Sequence, residues 1–314
     1  MNNKGFTLME ILGVITLLAI LSTLIILSVN KSLKDSKETL YQQQIEEIKA
    51  AAGMWRTDNI EIIPDNDYYI VSLQQLKDEG YIKKDIINPK TDAPFDNITL
   101  GVSLNDIKVD SRYTRLDYIK STGTQYIILD YKAKTNTEIR LDIEFIENEN
   151  LNSDSANNNI IGKETYNDVN AMFNINFGVQ VTQKKEIFYW VDKNYGYGGE
   201  IKEKNYSSVT PRSTMTVKSG SATFQGVTIE VATKTSDNTE NMVLLGGFNT
   251  TQNKVVAFNR YDAKVYGFQI YEGETLVRDF VPYKKNNEAG LYDLVNNKFY
   301  TSDGTGPFEY GELN

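Results

Sequence analysis

A lone carboxylate stands close to the start of a long uncharged segment. Glu10 follows the tripeptide Lys4-Gly5-Phe6, and residues 11–29 carry no charged side chain. A carboxylate at membrane depth is costly unless it is paired, so such a residue marks a functional site. Cleavage of the chain after Gly5 would create an α-amino group on Phe6, a few residues from Glu10. The spacing therefore predicts that an N-terminal ammonium is the partner of the Glu10 carboxylate.

This N-terminus resembles the class III signal of type IV prepilins. The shared features are a short basic leader, a glycine at the cut, a phenylalanine, Thr7-Leu8, an acid and an apolar helix. The resemblance implies that a membrane prepilin peptidase removes residues 1–5 and that the new amine of Phe6 is N-methylated. It also implies that Glu10 neutralises the Phe6 amine of a neighbouring subunit in a low-dielectric bundle, where an unpaired charge is costly.

Other classes of N-terminal segment fit this one only in part. A secretory signal peptide has an apolar core of about 7–15 residues and then a small-residue cleavage site, whereas this run is longer and ends in Ser28-Val29-Asn30-Lys31. A plain transmembrane anchor needs about 20 apolar residues, which fits the length but leaves Gly5-Phe6 and Glu10 without a role. The plain anchor, with Glu10 as an unpaired acid at the membrane boundary, stays as the alternative.

The uncharged segment continues into an amphipathic one. Apolar residues recur mostly three, four or seven positions apart, as on one face of a helix, at Leu33, Leu40, Tyr41, Ile45, Ile48, Ala52 and Trp55. No proline precedes Pro64, so one helix over residues 6–57 is allowed. The joined pattern resembles a pilin stalk. Its first half would cross the membrane once before assembly, and its second half would pack on a globular head.

Residues 58–110 form a small mixed segment, which we call the head. Ser72 is a predicted N-cap for a short helix that ends before Gly80, and residues 68–71 and 98–102 are predicted strands. The phrase SLQQLKDEGYI with the following INP resembles the helix-and-turn element after the stalk in Gram-positive pilins and pseudopilins. A segment of this size is expected to need the stalk helix to complete its core.

The sequence changes character after residue 110, and we call residues 111–314 the β-domain. Short alternating runs are separated by Gly, Asn, Asp and Thr, which predicts an all-β sandwich or barrel. The segment is too long for one immunoglobulin-type domain of about 100 residues. Its ends, YTRLDYIKSTGTQYIILDY and LVRDFVPYKKNNEAGLYDLVNNKFYTSDGTGPFEYG, resemble those of concanavalin A-like (laminin G-like) modules, and we expect the two ends to pair as neighbouring strands. The fold class is thus α+β, a stalk helix and small α/β head followed by a concanavalin A-like sandwich.

An aromatic and glycine-rich run in the β-domain is a candidate ligand site. Sugar rings stack on exposed aromatic faces, and loops on a rigid scaffold often carry binding residues, which makes Trp190, Tyr195 and Tyr197 the candidate contacts. The alternative is structural, with Phe188 and Trp190 on the core face of a strand and the two tyrosines covering the sheet edge. The acidic segment from Glu147 to Asp154 is an oxygen-rich candidate for calcium, although it lacks an EF-hand pattern, and no other cofactor is expected.

A second pattern in the β-domain resembles a catalytic one. Arg140, Asp142 and Glu144 alternate with apolar residues, and glycanases of the concanavalin-like fold carry strand-borne carboxylates two residues apart, as nucleophile and acid. The fuller family pattern has another acid just before the pair, where this chain has Arg140. A solvated strand face is the favoured interpretation, and we expect no enzymatic activity.

Composition excludes several function classes. The chain has no cysteine and no histidine, which removes zinc sites of the Cys/His type, cysteine nucleophiles and any Ser-His-Asp triad. Its net charge of -9 disfavours nucleic acid, which binds a basic face. The bias towards Asn, Lys and Ile, without a disulfide, suggests a Gram-positive source.

These patterns together predict a minor or tip subunit of a type IV pilus. It would be anchored in the cell membrane before assembly and would afterwards display the β-domain outside the cell, as an adhesive module for a glycan or protein receptor. The expected partners are the prepilin peptidase and other pilin subunits. The alternatives are a surface glycan hydrolase on a pilin-like stalk and a pseudopilin of a secretion or DNA-uptake system.

Overall fold

The computed structural model describes the chain in ten stretches, which are residues 8–65, 67–95, 98–146, 159–164, 178–181, 186–190, 202–206, 208–249, 252–258 and 261–313. Within them, only the backbone is described at residues 20, 22–28, 178–181, 186, 188, 190, 202 and 203.

The stalk helix α1 (Leu8–Asp58) is 51 residues long, as the uninterrupted pattern before Pro64 predicts. Its C-terminal part is buried through Ile45, Ile48, Ala51, Ala52 and Trp55. The predicted apolar face extends further than the burial does, because Leu33 and Leu40 are 57% and 50% exposed. Among the described residues, no helix combines the length and the hydropathy that a membrane span requires.

The head packs against one side of the last turns of α1. It contains a short 3-10 helix (Ile60–Ile62), the helix α2 (Leu73–Asp78), and the strands β1 (Tyr69–Ser72), β2 (Ile87–Asn88), β3 (Ala93–Pro94), β4 (Thr99–Val102) and β5 (Ile107–Val109). The Ser72 side chain accepts a hydrogen bond from the Gln75 amide, and Gly80 follows α2 with a φ of +83°. Both predicted signals of α2 are therefore confirmed.

The head shares its hydrophobic core with the stalk helix. Strands β1, β4 and β5 form a three-stranded sheet, and β2 pairs with β3. The sheet and α2 bury Val71, Leu76 and Leu100 in one cluster with Ile48 and Trp55 of α1. This shared cluster supports the expectation that the head needs the stalk helix, which stays a prediction.

The β-domain is built from eighteen strands in the described residues. They are β6 (Tyr113–Ser121), β7 (Ile127–Ile128), β8 (Thr137–Ile146), β9 (Asn159–Lys163), β10 (Gly178–Val181), β11 (Glu186–Trp190), β12 (Lys202–Asn205), β13 (Ser213–Lys218), β14 (Ser221–Phe224), β15 (Val227–Glu230), β16 (Met242–Leu244), β17 (Gly246–Asn249), β18 (Lys254–Ala257), β19 (Asp262–Glu272), β20 (Thr275–Lys285), β21 (Glu288–Asp293), β22 (Lys298–Tyr300) and β23 (Glu309–Glu312).

Antiparallel pairing arranges most of these strands in two sheets. The larger sheet has the order β15-β14-β13-β8-β19-β6-β20-β21-β22, with β23 also paired to β6, and the smaller has the order β12-β11-β10-β9-β16-β7. One hydrophobic core takes side chains from both sheets, including Leu141 and Phe268 from the larger and Ile161 and Met242 from the smaller. The β-domain is thus a mostly β region with a single core between its main sheets.

The two ends of the β-domain meet, as expected. Near its start, β6 pairs with β20 through Arg115 and Tyr283, and further along it pairs with β23 through Ile119 and Tyr310. The alternation in β8 is also as predicted, since Ile139, Leu141 and Ile143 are buried while the residues between them are more exposed.

Candidate functional site

Glu10 lies in the first turn of α1, and its side chain is exposed. The positive end of the helix dipole favours a carboxylate at this position. Gly5 and Phe6 lie outside the described residues. The structure therefore places one member of the predicted charge pair at the N-terminal end of the stalk and leaves the amine partner as a prediction.

The helix surface next to Glu10 is strongly apolar and uncovered. Large apolar side chains that are 46–86% exposed surround the first turns of α1, at Leu8, Met9, Ile11, Leu12, Val14, Ile15, Leu17, Leu18 and Leu21. Single exposed apolar residues are ordinary on a soluble protein, but a contiguous patch of this extent marks a contact with lipid or with another protein. This end of α1 can therefore bind an apolar phase or the equivalent helices of other subunits, with Glu10 as its one acid.

The candidate carboxylates of β8 form ion pairs with Arg212, which precedes β13, and with Lys264 of β19. Asp142 accepts two hydrogen bonds from the Arg212 guanidinium, at 3.1 and 2.8 Å, and Glu144 accepts from the Lys264 ammonium at 3.2 Å. Arg140 donates to Glu138 at 2.7 Å. The three residues thus share one face of the sheet, as predicted.

The chemistry of Glu144 is that of a stabilised carboxylate. The Tyr266 hydroxyl donates to it at 2.6 Å, and the Arg212 guanidinium stacks 3.6 Å from the centre of the Tyr266 ring. Burial raises the pKa of Glu144, but the hydrogen bonds from Tyr266 and Lys264 outweigh it and hold the pKa below its usual value. A general acid for glycoside cleavage needs a raised pKa. This geometry favours the structural interpretation of the pair.

The partners of the β8 carboxylates could not be found from the sequence. Arg212, Lys264 and Tyr266 come from β19 and from the segment ahead of β13, far along the chain from β8. Tyr266 also lies at a register shift between Val265 and Gly267 in β19, which breaks the simple alternation. Only the pairing of β8 with β13 and β19 brings these side chains together.

The predicted ligand contacts lie mostly outside the described residues. Tyr195 and Tyr197 fall there, as do Glu147–Asp154, the candidate calcium segment, and for Trp190 only the backbone at the end of β11 is described. The described side chains that β11 gives to the core are Ile187 and Tyr189, both almost fully buried. The prediction that Phe188 and Trp190 are core residues stays a prediction, because only their backbone is described.

Within the described stretches, no group of three or more Asp or Glu residues is placed to hold a metal ion. The candidate calcium site stays a prediction because its residues lie outside the described stretches.

Comparison with known proteins identifies a family motif at the N-terminus. Residues 1–26 match the family model described as the prokaryotic N-terminal methylation motif. No curated protein and no solved structure shows significant similarity to the chain. The matched segment includes Gly5, Phe6 and Glu10, and it is continuous with α1. The motif is consistent with prepilin peptidase processing, membrane insertion and assembly at the surface, and it supports a protein of the type IV pilin or pseudopilin kind with a pilin-like prepilin signal at its N-terminus.

Proposed function

We propose that the chain is a minor or tip subunit of a type IV pilus that displays its β-domain outside the cell. The mature subunit begins at Phe6, with an N-methylated amine. Before assembly α1 anchors it in the membrane as a single span, and in the filament the same helix packs against neighbouring stalks with Glu10 opposite the Phe6 ammonium of the next subunit.

One observation carries this proposal. The methylation motif runs directly into α1, which begins with uncovered apolar side chains and ends inside the core of the head. The N-terminal end of α1 can contact lipid or a bundle of other helices, and its C-terminal end is packed in the folded head. This arrangement suits a subunit that moves from the membrane into a filament. The large exposed apolar surface at the start of α1 would be covered by lipid in the membrane and by neighbouring stalk helices in the filament.

The proposed position and task follow from the β-domain. A domain of about 200 residues on a small head would crowd a densely packed shaft, which favours a minor or tip position. We propose a concanavalin A-like sandwich for it, because its two sheets share one core and its two ends pair. Its task would be adhesion to a glycan or a protein, through Trp190, Tyr195 and Tyr197, without catalysis.

Two other functions are kept as candidates. A pseudopilin of a secretion or DNA-uptake machine is compatible with the same methylation motif, although the net charge of -9 disfavours contact with DNA. A pilin-tethered glycan hydrolase would need an acid of raised pKa, whereas Glu144 has a lowered one. The ion pairs of Asp142 and Glu144 make the hydrolase the weaker of the two.

Fractionation of the producing cell tests the proposal. An epitope tag on the exposed Glu274 turn of the β-domain should be found in sheared surface filaments and be reachable by antibody on intact cells. Retention of all the tagged protein in the membrane or inside the cell would contradict a pilus subunit. Binding of the full chain to a glycan array, lost after Tyr195→Ala and Tyr197→Ala, would support the adhesive task.

A further inference from the structure

The head and the β-domain meet in a buried apolar contact between an isoleucine and two tyrosines. Ile70 of β1 lies with Tyr283 of β20 and Tyr292 of β21, and all three are at most 2% exposed. Tyr113 packs edge-on against the two tyrosine rings, at centroid distances of 6.5 and 5.5 Å. Ile70 belongs to the opposite side of β1 from Tyr69 and Val71, which face the stalk helix in the core of the head. The head sheet is therefore packed between α1 and the β-domain.

Hydrogen bonds fix the direction of this contact. The Tyr69 hydroxyl donates to the Leu294 carbonyl oxygen, and the Asn297 side chain donates to the Tyr68 carbonyl oxygen at 3.0 Å. Asn297 also accepts from the Tyr292 hydroxyl. Directional bonds beside an apolar contact favour one relative orientation of the two partners, because a rotation would leave partly buried polar groups without partners. The turn after β21 is thus bound to the first strand of the head.

The segment that connects the head to the β-domain is short and held by hydrogen bonds. Only three residues separate Val109 at the end of β5 from Tyr113 at the start of β6. Asp110 is almost fully buried, its amide donates to the Thr99 carbonyl at 2.8 Å, and its carboxylate accepts two hydrogen bonds from the Arg112 side chain, at 2.9 and 2.6 Å. The Asn286 amide of the β-domain donates to the Arg112 carbonyl at 3.0 Å. A flexible linker would be rich in Gly or Ser and free of such contacts.

We propose that the contact of Ile70 with Tyr283 and Tyr292, together with the Asp110–Arg112 connection, is a rigid joint that holds the β-domain in one direction relative to the stalk helix. Inter-domain contacts within one chain normally permit relative motion unless they are well packed and apolar, and this contact has a buried apolar centre and directional bonds around it. Head and β-domain then move as one body, and the stalk sets the direction in which the β-domain is presented.

The value of a rigid joint for display rests on the proposed function, but the rigidity itself does not. A subunit whose β-domain swung freely would present its ligand face in all directions. A fixed one presents the same face in every copy and transmits a pull on the β-domain directly to the stalk. The joint also closes the outer side of β1, so this side of the head is already occupied by the chain itself.

The joint can be tested on the full chain in detergent, whether or not the protein enters filaments. The chain has no cysteine, so cysteines introduced by Lys84→Cys on the head and Glu274→Cys on the β-domain are unique sites for spin labels. The distance distribution between the labels should have one narrow peak. Ile87→Ser, at a 47% exposed apolar site on β2 of the head, is the matched control and should leave the peak unchanged.

Two variants should open the joint. Ile70→Ser places a hydroxyl in the buried aromatic contact, and Asn297→Gly removes the bonds to Tyr68 and Tyr292 while keeping the φ of +53° that glycine tolerates. Both should broaden the distance distribution, and the Asn297 variant keeps the test valid if the Ile70 variant does not fold. A broad distribution in the parent protein, or a narrow one in every folded variant, would overturn the rigid joint.

Discussion

The indole nitrogen of Trp55, in the last turns of the stalk helix, donates a hydrogen bond of 2.9 Å to the Glu79 carboxylate directly after α2. The Trp55 side chain is 1% exposed and packs against the Tyr69 ring at a centroid distance of 5.2 Å. One residue thus connects the stalk to both the helix and the first strand of the head.

Replacement of Trp55 should unfold the head. We expect Trp55→Ala to lower the free energy of unfolding by about 3–5 kcal/mol, the usual cost of removing a buried aromatic side chain. Met54→Ala, at the adjacent and 55% exposed position, is the control and should change stability little. Chemical unfolding followed by tryptophan or tyrosine fluorescence measures both, and equal midpoints for the two variants would show that the head does not depend on Trp55.

A close backbone contact in the β-domain should make replacement of Gly162 destabilising. A Cβ at Gly162 would lie 2.6 Å from the Gly246 carbonyl oxygen and 2.7 Å from the Gly247 Cα, and a backbone cannot yield as a side chain does. Gly162→Ala should therefore cost about 1–3 kcal/mol. Gly267→Ala is the control, because its nearest neighbour would be 3.8 Å away. A thermal midpoint for Gly162→Ala as high as that of the control would contradict this contact.

The Asp110–Arg112 pair should make stability depend on pH. Hydrogen bonds from the Arg112 side chain hold the pKa of the Asp110 carboxyl below its usual value of 3.8. The stabilisation that the Asp110 carboxylate gives to the folded state is therefore fully present above its unfolded-state pKa. It is lost as the pH falls through the lower folded-state pKa. Asp110→Asn should cost about 1–2 kcal/mol at neutral pH, since Arg112 is half exposed.

The difference between Asp110→Asn and the parent protein should shrink in acid. Asp85→Asn, at an exposed carboxyl on the same head, serves as the control and should show little effect at either pH. Urea unfolding at neutral pH and well below pH 3.8 makes the comparison. A loss of stability that is the same at both pH values would show that the charge of Asp110 is not the cause.

Processing should follow the methylation motif. Coexpression with a prepilin peptidase should yield a mature chain that begins at Phe6, lighter by the five residues of the leader and heavier by one N-methyl group. Gly5→Leu should block the cut, because glycine leaves the peptidase cleft open. Intact-mass measurement separates the forms, and recovery of only the Met1 form beside an active peptidase would reject the processing site.

Local sequence signals predicted the stalk and head well. The absence of proline before Pro64 allowed α1, and Ser72 and Gly80 delimited α2 because caps act over a few residues. The change in sequence composition after residue 110 coincides with the connection between β5 and β6. The prediction placed Leu33 and Leu40 on the apolar face that packs on the head, but both are exposed. Periodicity identifies a face of a helix and does not show where the packing partner ends.

Tertiary contacts were beyond the reach of such signals. The segment Glu186–Trp190 is apolar on both of its faces, so alternation could not tell that Ile187 and Tyr189 would supply the described core side chains. Ile70 and Tyr283 are more than two hundred positions apart, and nothing local marks them as a joint. The ion pairs of Asp142 and Glu144 depend in the same way on which strands become neighbours.

The charge of Glu10 is the feature on which assembly rests in this account. Glu10→Ala should leave membrane insertion intact, because an apolar segment without a charge is more compatible with lipid. It should impair entry into filaments, since the Phe6 ammonium of the next subunit loses its counter-charge. Breaking one half of a buried pair costs about 3–5 kcal/mol, which corresponds to about two to four orders of magnitude in incorporation.

The ratio of tagged protein in sheared filaments to that in membranes, measured for the parent chain, Glu10→Ala and Glu10→Gln, tests this most directly. Glu10→Gln keeps the size of the side chain and removes its charge, so it should fail nearly as badly as Glu10→Ala. Thr16→Ala, on the same apolar part of α1, is the control and should assemble like the parent. We predict a high ratio for the parent and the control and a strongly reduced ratio for both Glu10 variants, whereas equal ratios for all four proteins would contradict the account.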